Sequence, residues 1–534
     1  MSSVKYIFVT GGVVSSLGKG LTAAAIGAIL ESRGLRVSMQ KLDPYLNVDP
    51  GTMNPSQHGE VYVLNDGSET DLDLGHYERM TSGGLSKINN VTSGQVFEAV
   101  LAKERNGEYL GQTVQVIPHV TDEIKDRIAT FASKSESDVV IIEIGGTVGD
   151  IEGLPFAEAI RQFQIQAGRG NSIVVHLTLV PYLRAAGEIK TKPTQQSVAK
   201  LREIGLHPDL IVCRMEVPLD DDSRRKIALF CNVSAACVIE APDVRNTVYE
   251  VPAILHQQGI DTLICDLLAL DPPVADIKQW ETFVERVTSP RKKVSIAIVG
   301  KYTSTKDAYK SIGEALLHAG AAIDCGVDIS YVDSETISEE SVERILAPYA
   351  GILIPGGFGA RGIEGKVLSA KYAREHRRPF LGICLGMQIA VIEAARNLAG
   401  ITSATSQEFS PESGVAVIHL METQIGLHHK GGTMRLGAYP LAIANESQMA
   451  SLYSELYASE RHRHRYEVNN SFREQLESVG LFFSGTSPDM TLVEALELPG
   501  HPFYIATQYH PEFQSKPLAP HPLFRGFLAA ALLT

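Results

Sequence analysis

One cysteine in the sequence has the surroundings of a nucleophile. Cys384 lies in the segment Pro-Phe-Leu-Gly-Ile-Cys-Leu-Gly-Met-Gln, where Gly382 and Gly386 allow a strand to turn sharply into a helix. At a helix N-terminus, the helix dipole and the free N–H groups stabilise a thiolate, which is the reactive form of the side chain. The spacing therefore predicts a reactive thiol at the turn between a strand and a helix.

A general base and an oxyanion site accompany this thiol. His510 and Glu512 follow the predicted strand Tyr504–Gln508, so the imidazole can exchange a proton while the carboxylate orients it. Gly357 lies in Ile-Pro-Gly-Gly-Phe-Gly, whose backbone N–H groups suit an oxyanion. A single buried cysteine or histidine is more often a packing residue. The three features together, in this order, indicate nucleophilic acyl transfer.

A glycine-rich loop near the N-terminus is typical of phosphate binding. The predicted strand Tyr6–Thr10 leads into Gly-Gly-Val-Val-Ser-Ser-Leu-Gly-Lys-Gly-Leu-Thr and then into a predicted helix, Lys19–Arg33. Backbone N–H groups at such a helix N-terminus bind phosphate oxygens, and Lys19 would reach the terminal phosphates. Val13 and Gly20 depart from the pattern G-x-x-x-x-G-K-[ST], so Mg²⁺ must find its protein ligands elsewhere.

Two carboxylates are candidates for that metal. Asp73 lies in Glu-Thr-Asp-Leu-Asp-Leu-Gly-His-Tyr-Glu, and Glu143 lies at the end of the predicted strand Val139–Ile144. The carboxyl ends of buried parallel strands are where open α/β sheets bind ligands. Two carboxylates, phosphate oxygens and water form a suitable ligand set for Mg²⁺. Only the fold can bring these two residues together.

Three further polar clusters follow predicted strands and resemble contacts to anions or bases. Read alone, Lys-Thr-Lys is more typical of a solvated loop. The clusters are Lys41 with Asp43; Asp150, Ile151 and Glu152; and Lys190, Thr191, Lys192, Pro193, Thr194 and Gln195.

Short β-rich runs alternate with helical segments along the whole chain, which predicts parallel α/β sheets. The stretch 271–293 begins with Asp-Pro-Pro, contains the only tryptophan and ends in Pro-Arg-Lys-Lys, as is typical of an interdomain linker. We therefore predict an α/β protein with a domain 1–270, a linker 271–293 and a domain 294–534. The other predicted strands are Val37–Leu42, Ile173–Val180, Leu210–Arg214, Val238–Glu240, Val294–Val299, Ile329–Val332, Gly351–Ile354 and Phe380–Cys384.

Composition excludes several classes of protein. The chain has 534 residues, a hydrophobic fraction of 44% and a net charge of −14, which argues against nonspecific nucleic-acid binding. The N-terminus lacks a signal peptide, and no apolar stretch is long enough to span a membrane, so we expect a cytoplasmic protein with no membrane partner. The remaining cysteines lie in or beside apolar runs and are expected to be inert: Cys213, Cys231, Cys237, Cys265 and Cys325.

The second half of the chain resembles the class I glutamine amidotransferases over most of residues 294–534. The resemblance implies a flavodoxin-like sheet in which Cys384 forms a glutamyl thioester, His510 is the base and Glu512 orients it. Arg461 and Arg463 are interpreted as part of a solvated basic loop. The positions implied to bind glutamine and its oxyanion are Gly357, Leu385, Gly386, Met387, Gln388, Glu408 and Arg465.

Five motifs follow one another in the first half of the chain. In order, they are the glycine loop, Lys-Leu-Asp-Pro-Tyr-Leu-Asn, Thr-Asp-Leu-Asp-Leu-Gly-His-Tyr-Glu-Arg, Gly-Gly-Thr-Val-Gly-Asp-Ile-Glu and Lys-Thr-Lys-Pro-Thr-Gln-Gln. With the second half they make the chain similar to the CTP synthases over essentially its full length. The implied first domain is a Rossmann-like, P-loop-type parallel sheet with Mg²⁺ on Asp73 and Glu143. The implied ATP positions are Ser16, Leu17, Gly18, Lys19, Gly20, Leu21, Lys41, Asp73 and Val244. The implied UTP or CTP positions are Ser15, Asp150, Ile151, Glu152, Lys190, Thr191, Lys192, Pro193, Thr194, Gln195 and Lys226.

The resemblance also implies a reaction and its regulation. ATP would phosphorylate O4 of UTP, and ammonia from glutamine would displace the phosphate to give CTP, with no organic redox cofactor. Family members are homotetramers that GTP activates and CTP inhibits, and His58 matches a position near their ammonia route. The loop after Gly300, with Lys301, Tyr302, Lys306 and Lys310, is a candidate regulatory surface.

Two alternatives remain open at this point. Another ATP-dependent amidoligase, such as one that amidates a cobyrinic-acid-like carboxylate, would share the loop and the glutaminase. The Lys-Thr-Lys-Pro-Thr-Gln segment favours UTP over that substrate. A non-catalytic scaffold or filament subunit is the other alternative, although a scaffold has no need for Cys384, His510, Glu512 and Lys19.

Overall fold

The computed structural model describes residues 4–53, 59–301, 306–410, 414–421, 424 and 433–534. The strands are β1 Lys5–Gly11, β2 Val37–Asp43, β3 Tyr62–Val63, β4 Glu69–Thr70, β5 Asn90–Thr92, β6 Val139–Ile144, β7 Ser172–Leu179, β8 Tyr182–Leu183, β9 Glu188–Ile189, β10 Leu210–Met215, β11 Val238–Pro242, β12 Lys292–Gly300, β13 Cys325–Asp333, β14 Gly351–Ile354, β15 Phe380–Ile383, β16 Ala404–Ser406, β17 Val415–Leu420, β18 Arg435–Ile443, β19 Tyr457–His464, β20 Tyr466–Val468, β21 Phe482–Thr486, β22 Val493–Glu497 and β23 Tyr504–Thr507.

The helices connect these strands and cover the faces of the larger sheets. They are α1 Lys19–Ser32, α2 Leu72–Met80, α3 Ser93–Arg105, α4 Thr121–Ser135, α5 Leu154–Ala167, α6 Lys192–Glu203, α7 Asp221–Cys231, α8 Val251–Gln257, α9 Ile260–Leu268, α10 Lys278–Thr288, α11 Lys310–Ala322, α12 Val342–Leu346, α13 Ile363–Glu375, α14 Leu385–Asn397, α15 Gln448–Tyr453, α16 Arg473–Ser478 and α17 Pro522–Ala531.

The chain divides into two compact units. The first contains residues 1–49 and 73–284, and the second contains residues 50–72 and 285–534. The predicted linker 271–293 contains the helix α10, which begins in the first unit and ends in the second. Residues 50–72 pack with the second unit although they precede most of the first in sequence.

The first unit is built on a parallel sheet with the order β11-β10-β7-β1-β6-β2-β5. Its central strands are mostly apolar, as is typical of parallel strands that are covered on both faces. Phe8, Ile142 and Val174, on three adjacent strands, are fully buried. The α/β prediction is confirmed, and the short edge strand β5 was not predicted.

The second unit has a mixed sheet with the order β13-β12-β14-β15-β23-β22-β21-β18-β19. The strands from β13 to β23 run parallel, and the remaining strands are antiparallel. The parallel part matches the predicted strands; the antiparallel extension was not predicted. This extension includes the segment Arg461–His464 in β19, which therefore lies in a strand rather than a loop.

Residues 59–72 of the second unit are anchored by hydrogen bonds to strands far away in sequence. The Tyr62 hydroxyl donates to the Phe513 carbonyl at 2.7 Å, and Arg461 Nε donates to Asn65 Oδ1 at 2.6 Å. No helix in the described part of the chain is long and apolar enough to cross a membrane. Burial raises the pKa of Cys213, Cys231, Cys265 and Cys325, which agrees with the expected inertness of these thiols.

Helix α14, which begins directly after Cys384, is tied to α13 by a buried ion pair. Arg374 Nη2 lies 2.7 Å from Glu393 Oε1, and Arg374 Nε donates to both carboxylate oxygens at 3.1 Å. The Glu393 side chain is 1% exposed, so its charge depends on this partner.

We predict that Arg374→Ala lowers the free energy of unfolding of the second unit by about 3 kcal/mol, because a buried carboxylate loses its partner. Scanning calorimetry of the full chain should show a drop of roughly 6–12 °C in that unit's transition. Arg291→Ala is the control, since its pair with Asp324 at 2.9 Å leaves Arg291 87% exposed. An Arg374→Ala transition as high as that of Arg291→Ala would contradict the prediction.

Candidate active sites

The backbone at Cys384 forms the predicted turn between β15 and α14. Cys384 adopts φ 52° and ψ −101°, in the region that side chains rarely occupy, and is the N-cap of the helix. A Cβ on Gly386 would lie 2.2 Å from the Ile354 carbonyl oxygen, and one on Gly382 would lie 2.8 Å from the Gly386 carbonyl carbon. Only glycine at both positions allows β14, β15 and the first turn of α14 to approach so closely.

The imidazole of His510 is held by Glu512. His510 Nδ1 donates to Glu512 Oε1 at 2.7 Å, and both side chains are buried. Burial disfavours the charged imidazole, but the charges of Glu512 and Cys384 outweigh it and raise the pKa of His510 to about 10. His510 Nε2 has no hydrogen-bond partner among the described residues. At neutral pH, this nitrogen therefore holds a proton that it can donate.

The thiol and the imidazole line one cavity of about 100 Å³. A Cβ on Gly356 would lie 2.9 Å from His510 Cε1, 3.7 Å from His510 Nε2 and 3.6 Å from Cys384 Cβ. Gly357 lines the same cavity, and its Cα faces Leu385 in the first turn of α14. Nucleophile, base, orienting carboxylate and the candidate oxyanion loop are thus within one small space, which is the arrangement that acyl transfer needs.

The other predicted glutamine-binding positions do not line this cavity, although several contact residues next to its lining. Gln388 Nε2 donates to the Tyr466 carbonyl at 3.2 Å, while its Oε1 is buried without a partner among the described residues. Glu408 Oε1 accepts from the Gly359 N–H at 2.6 Å, and burial raises the pKa of this carboxyl. Arg465 Nη1 donates to Gln424 Oε1 at 2.7 Å. Leu385, Gly386 and Met387 form the first turn of α14.

In the first unit, the glycine loop runs from β1 to α1 and positions Lys19. Gly18, with φ 95°, is the N-cap of α1, and Val13 and Ser16 also have positive φ. Lys19 Nζ donates to the Gly146 carbonyl at 2.7 Å. A Cβ on Gly20 would lie 2.5 Å from Asp73 Oδ1. Where other loops have a hydroxyl residue, this loop therefore leaves room for the Asp73 carboxylate.

The predicted metal-binding carboxylates lie together around one lysine. Lys41 Nζ forms ion pairs with Asp73, with Asp43 at 3.7 Å and with Glu143 at 3.8 Å. The Tyr77 hydroxyl donates to Glu143. Burial, opposed by Lys41 and reinforced by Asp73, raises the pKa of Glu143 to about 7. The raised pKa reflects the cost of burying this carboxylate. The carboxylate oxygens of Asp73 and Glu143 are ligands of the kind that Mg²⁺ takes.

The predicted pyrimidine positions are distributed differently. Asp150, Ile151 and Glu152 are exposed, and so is Lys226 on α7. Lys190 pairs with Glu188, and Gln195 Nε2 donates to Thr191 Oγ1 at 3.1 Å. The first turn of α6 contains Lys192, Pro193 and Thr194, and Ser15 lies in the glycine loop. Of the predicted ATP positions, Leu21 lies in the first turn of α1 and Val244 follows β11. The structure brings Lys19, Lys41, Asp73 and Glu143 together, whereas the pyrimidine positions range from exposed side chains to the buried Thr191 and Thr194.

Comparisons with known proteins match both halves of the chain to known families. The model of the CTP synthase N-terminus matches residues 5–270, and that of the class-I glutamine amidotransferases matches residues 304–530. The CTP synthase of Geobacter metallireducens is 57% identical over 529 residues, covering 99% of this chain and 98% of its own. That of Caldanaerobacter subterraneus is 56% identical over 528 residues, covering 99% and 98%. The chain belongs to the CTP synthase family.

Among solved structures, the Trypanosoma brucei CTPS glutaminase domain with bound acivicin is 41% identical. It covers 45% of this chain and 93% of its own, with a TM-score of 0.42.

The interpretation of Arg461 and Arg463 as a solvated basic loop is wrong. Arg461 is 2% exposed, and its guanidinium donates to the carbonyls of Val63 and Phe513 at 3.1 and 3.3 Å. Arg463 Nε lies 2.9 Å from Glu69 Oε1 and its guanidinium lies 5.4 Å from the centre of the Phe358 ring. Val63 and Glu69 come from residues 59–72, whose position the sequence did not predict.

Other polar residues of the two sites were not predicted from sequence. Gln508 Nε2 lies 3.8 Å from the Cys384 sulfur and follows the strand that leads to His510, which is the signal that could have identified it. Tyr77 lies one helical turn from Asp73. His58 and Tyr302 lie outside the described residues. Lys310 forms an ion pair with Glu314 at 2.7 Å.

We predict that Glu512→Gln slows alkylation of Cys384 by iodoacetamide at neutral pH roughly tenfold, because the charge of Glu512 is the largest contribution that raises the pKa of His510, and a neutral imidazole no longer stabilises the thiolate. Mass spectrometry of the Cys384 peptide gives the rate. Glu375→Gln, an exposed change at the end of α13, is the control. Equal alkylation rates in the two variants would show that Glu512 does not keep the His510 imidazole protonated.

Proposed function

We propose that this chain makes CTP from UTP, ATP and ammonia, and that it releases the ammonia by hydrolysing glutamine. The observation that carries the proposal is the cavity shared by Cys384, His510, Glu512 and Gly357, in a chain that matches CTP synthases over 99% of its length. Residues 294–534 would contain the glutaminase, and residues 1–270 would contain most of the synthetase.

In the glutaminase, the Cys384 sulfur attacks the side-chain amide carbon of glutamine. The backbone N–H of Gly357 stabilises the oxyanion, and the charged His510 gives the Nε2 proton to the departing ammonia. Glu512 keeps the imidazole oriented and stabilises its charge. His510, now neutral, then takes a proton from the water that hydrolyses the thioester, and glutamate leaves. Gln388, Glu408 and Arg465 would hold the substrate, the last of these by a bidentate contact to its carboxylate.

In the synthetase, the glycine loop and the N-terminus of α1 bind the phosphates of ATP. Lys19 and Lys41 stabilise negative charge on the γ-phosphoryl group as it moves to O4 of UTP. Asp73 and Glu143 would hold Mg²⁺, which neutralises phosphate charge and aligns the phosphates when bound. Attack of ammonia on C4 then expels phosphate and gives CTP. Ser16 to Leu21 and Val244 complete the ATP positions.

We also propose that the enzyme works as a homotetramer that GTP activates and CTP inhibits. The exposure of Asp150, Glu152 and Lys226 supports assembly, because a neighbouring copy of the chain has access to all three side chains. The cobyrinic-type alternative is disfavoured by the match to CTP synthases along both halves. The assembled Cys384–His510–Glu512 geometry disfavours a non-catalytic scaffold.

We predict opposite losses for substitutions in the two sites. Cys384→Ala removes the nucleophile, so CTP should form from ammonium chloride but not from glutamine. Asp73→Asn removes a charge that balances Lys41 and holds the metal, so glutamine hydrolysis should continue while CTP formation from ammonium chloride falls roughly 100-fold or more.

Both variants are assayed with UTP, ATP, Mg²⁺ and GTP, with CTP and glutamate measured separately. Cys237→Ala, at a thiol outside both sites, is the matched control for Cys384→Ala. Absence of CTP from the wild-type chain with either nitrogen source would refute the proposed function.

A further inference from the structure

A buried lysine at the end of β12 holds the loop that contains Gly357. Lys301 is 7% exposed, and its Nζ donates to the Phe358 carbonyl at 2.7 Å and to the Gly359 carbonyl at 2.5 Å. These carbonyls lie directly after Gly357. The ammonium group therefore fixes two consecutive peptide groups beside the proposed oxyanion donor.

The same loop continues to the substrate-binding carboxylate. The Gly359 N–H donates to Glu408 Oε1 at 2.6 Å, so one residue receives a hydrogen bond from Lys301 and gives one to Glu408. Arg361 Nη2 donates to the Lys301 carbonyl at 3.2 Å and thereby fixes the lysine backbone as well. The contacts form a continuous series from β12 through the loop to Glu408.

We propose that Lys301 is a positioning residue of the glutaminase, which sets the orientation of the Gly357 peptide and, through Gly359, the position of Glu408. The inference rests on the proposed function and names no new ligand. It differs from the expected role of this residue on a regulatory surface, since the ammonium group points into the loop and is almost completely covered.

The energetics support a requirement for this particular side chain. Burying an ammonium group costs free energy unless hydrogen bonds and opposite charge compensate. Two short hydrogen bonds to carbonyl oxygens and the nearby Glu408 charge provide the compensation here. An apolar replacement would leave the carbonyls of Phe358 and Gly359 without this donor and free the loop to reorient. A misplacement of about 1 Å can reduce a reaction rate roughly 100-fold.

The test compares Lys301→Met with Lys293→Met, which makes the same change at an exposed position of the same strand. Glutamine hydrolysis, Cys384 alkylation by iodoacetamide and CTP formation from ammonium chloride are measured on the full chain. For Lys301→Met we expect kcat of glutamine hydrolysis to fall roughly 100-fold and KM for glutamine to rise, with the other two activities unchanged. Lys301→Arg keeps a donor and should retain more hydrolysis than Lys301→Met.

Three results would overturn the inference. The first is unchanged glutamine hydrolysis in Lys301→Met. The second is a fall in Cys384 alkylation parallel to the fall in hydrolysis, which would indicate collapse of the whole site. The third is a rate of glutamine hydrolysis in Lys301→Arg that is no higher than in Lys301→Met. A wild-type chain without glutamine hydrolysis would instead refute the proposed function, and this inference with it.

Discussion

Both sites depend on close approaches that only a residue without a side chain allows. At Gly386, the first turn of α14 lies against the Ile354 carbonyl, where a Cβ would be 2.2 Å from the oxygen. This contact sets the distance between the Cys384 thiol and the loop that follows β14. At Gly20, the missing Cβ leaves space for the Asp73 carboxylate beside Lys41. In each unit, the geometry of the reacting groups follows from how near two backbone segments can lie.

Buried charge is the second common feature, and each site balances it within a few residues. His510 is charged because Glu512 and Cys384 outweigh the cost of burial. Glu143 is in the opposite condition, since burial and Asp73 outweigh the ammonium groups of Lys41 and Lys19 and raise the pKa of Glu143 to about 7. In the proposed reactions, the first balance supplies a proton to a leaving group, whereas the second provides carboxylates for a cation. The two halves thus use the same physical effect for different chemistry.

The sequence predicted the parts of these sites that local pattern controls. Glycines around Cys384 indicated the turn, apolar runs indicated β6 and β14 with the observed bounds, and strand ends indicated where Glu143 and His510 would lie. It did not predict what Arg461 contacts, because the partners Asn65 and Val63 lie almost 400 residues away and have no periodic pattern. The antiparallel strands β18 to β22 were missed for a similar reason, since their pairing depends on non-local packing.

The segment 50–72 shows why the two halves are not separable at a single point in sequence. Glu60 and Val61 line the cavity that contains Cys384, and Ser311 donates to Glu60 at 3.0 Å through its backbone N–H. Asp73, which belongs to the other site, follows this segment directly. A chain beginning at residue 285 would contain the thiol, the base and the oxyanion loop, but it would lack one wall of the cavity and the partners of Arg461. The segment 50–72 therefore forms part of the thiol site in the second unit, and the chain enters the first unit again at Asp73.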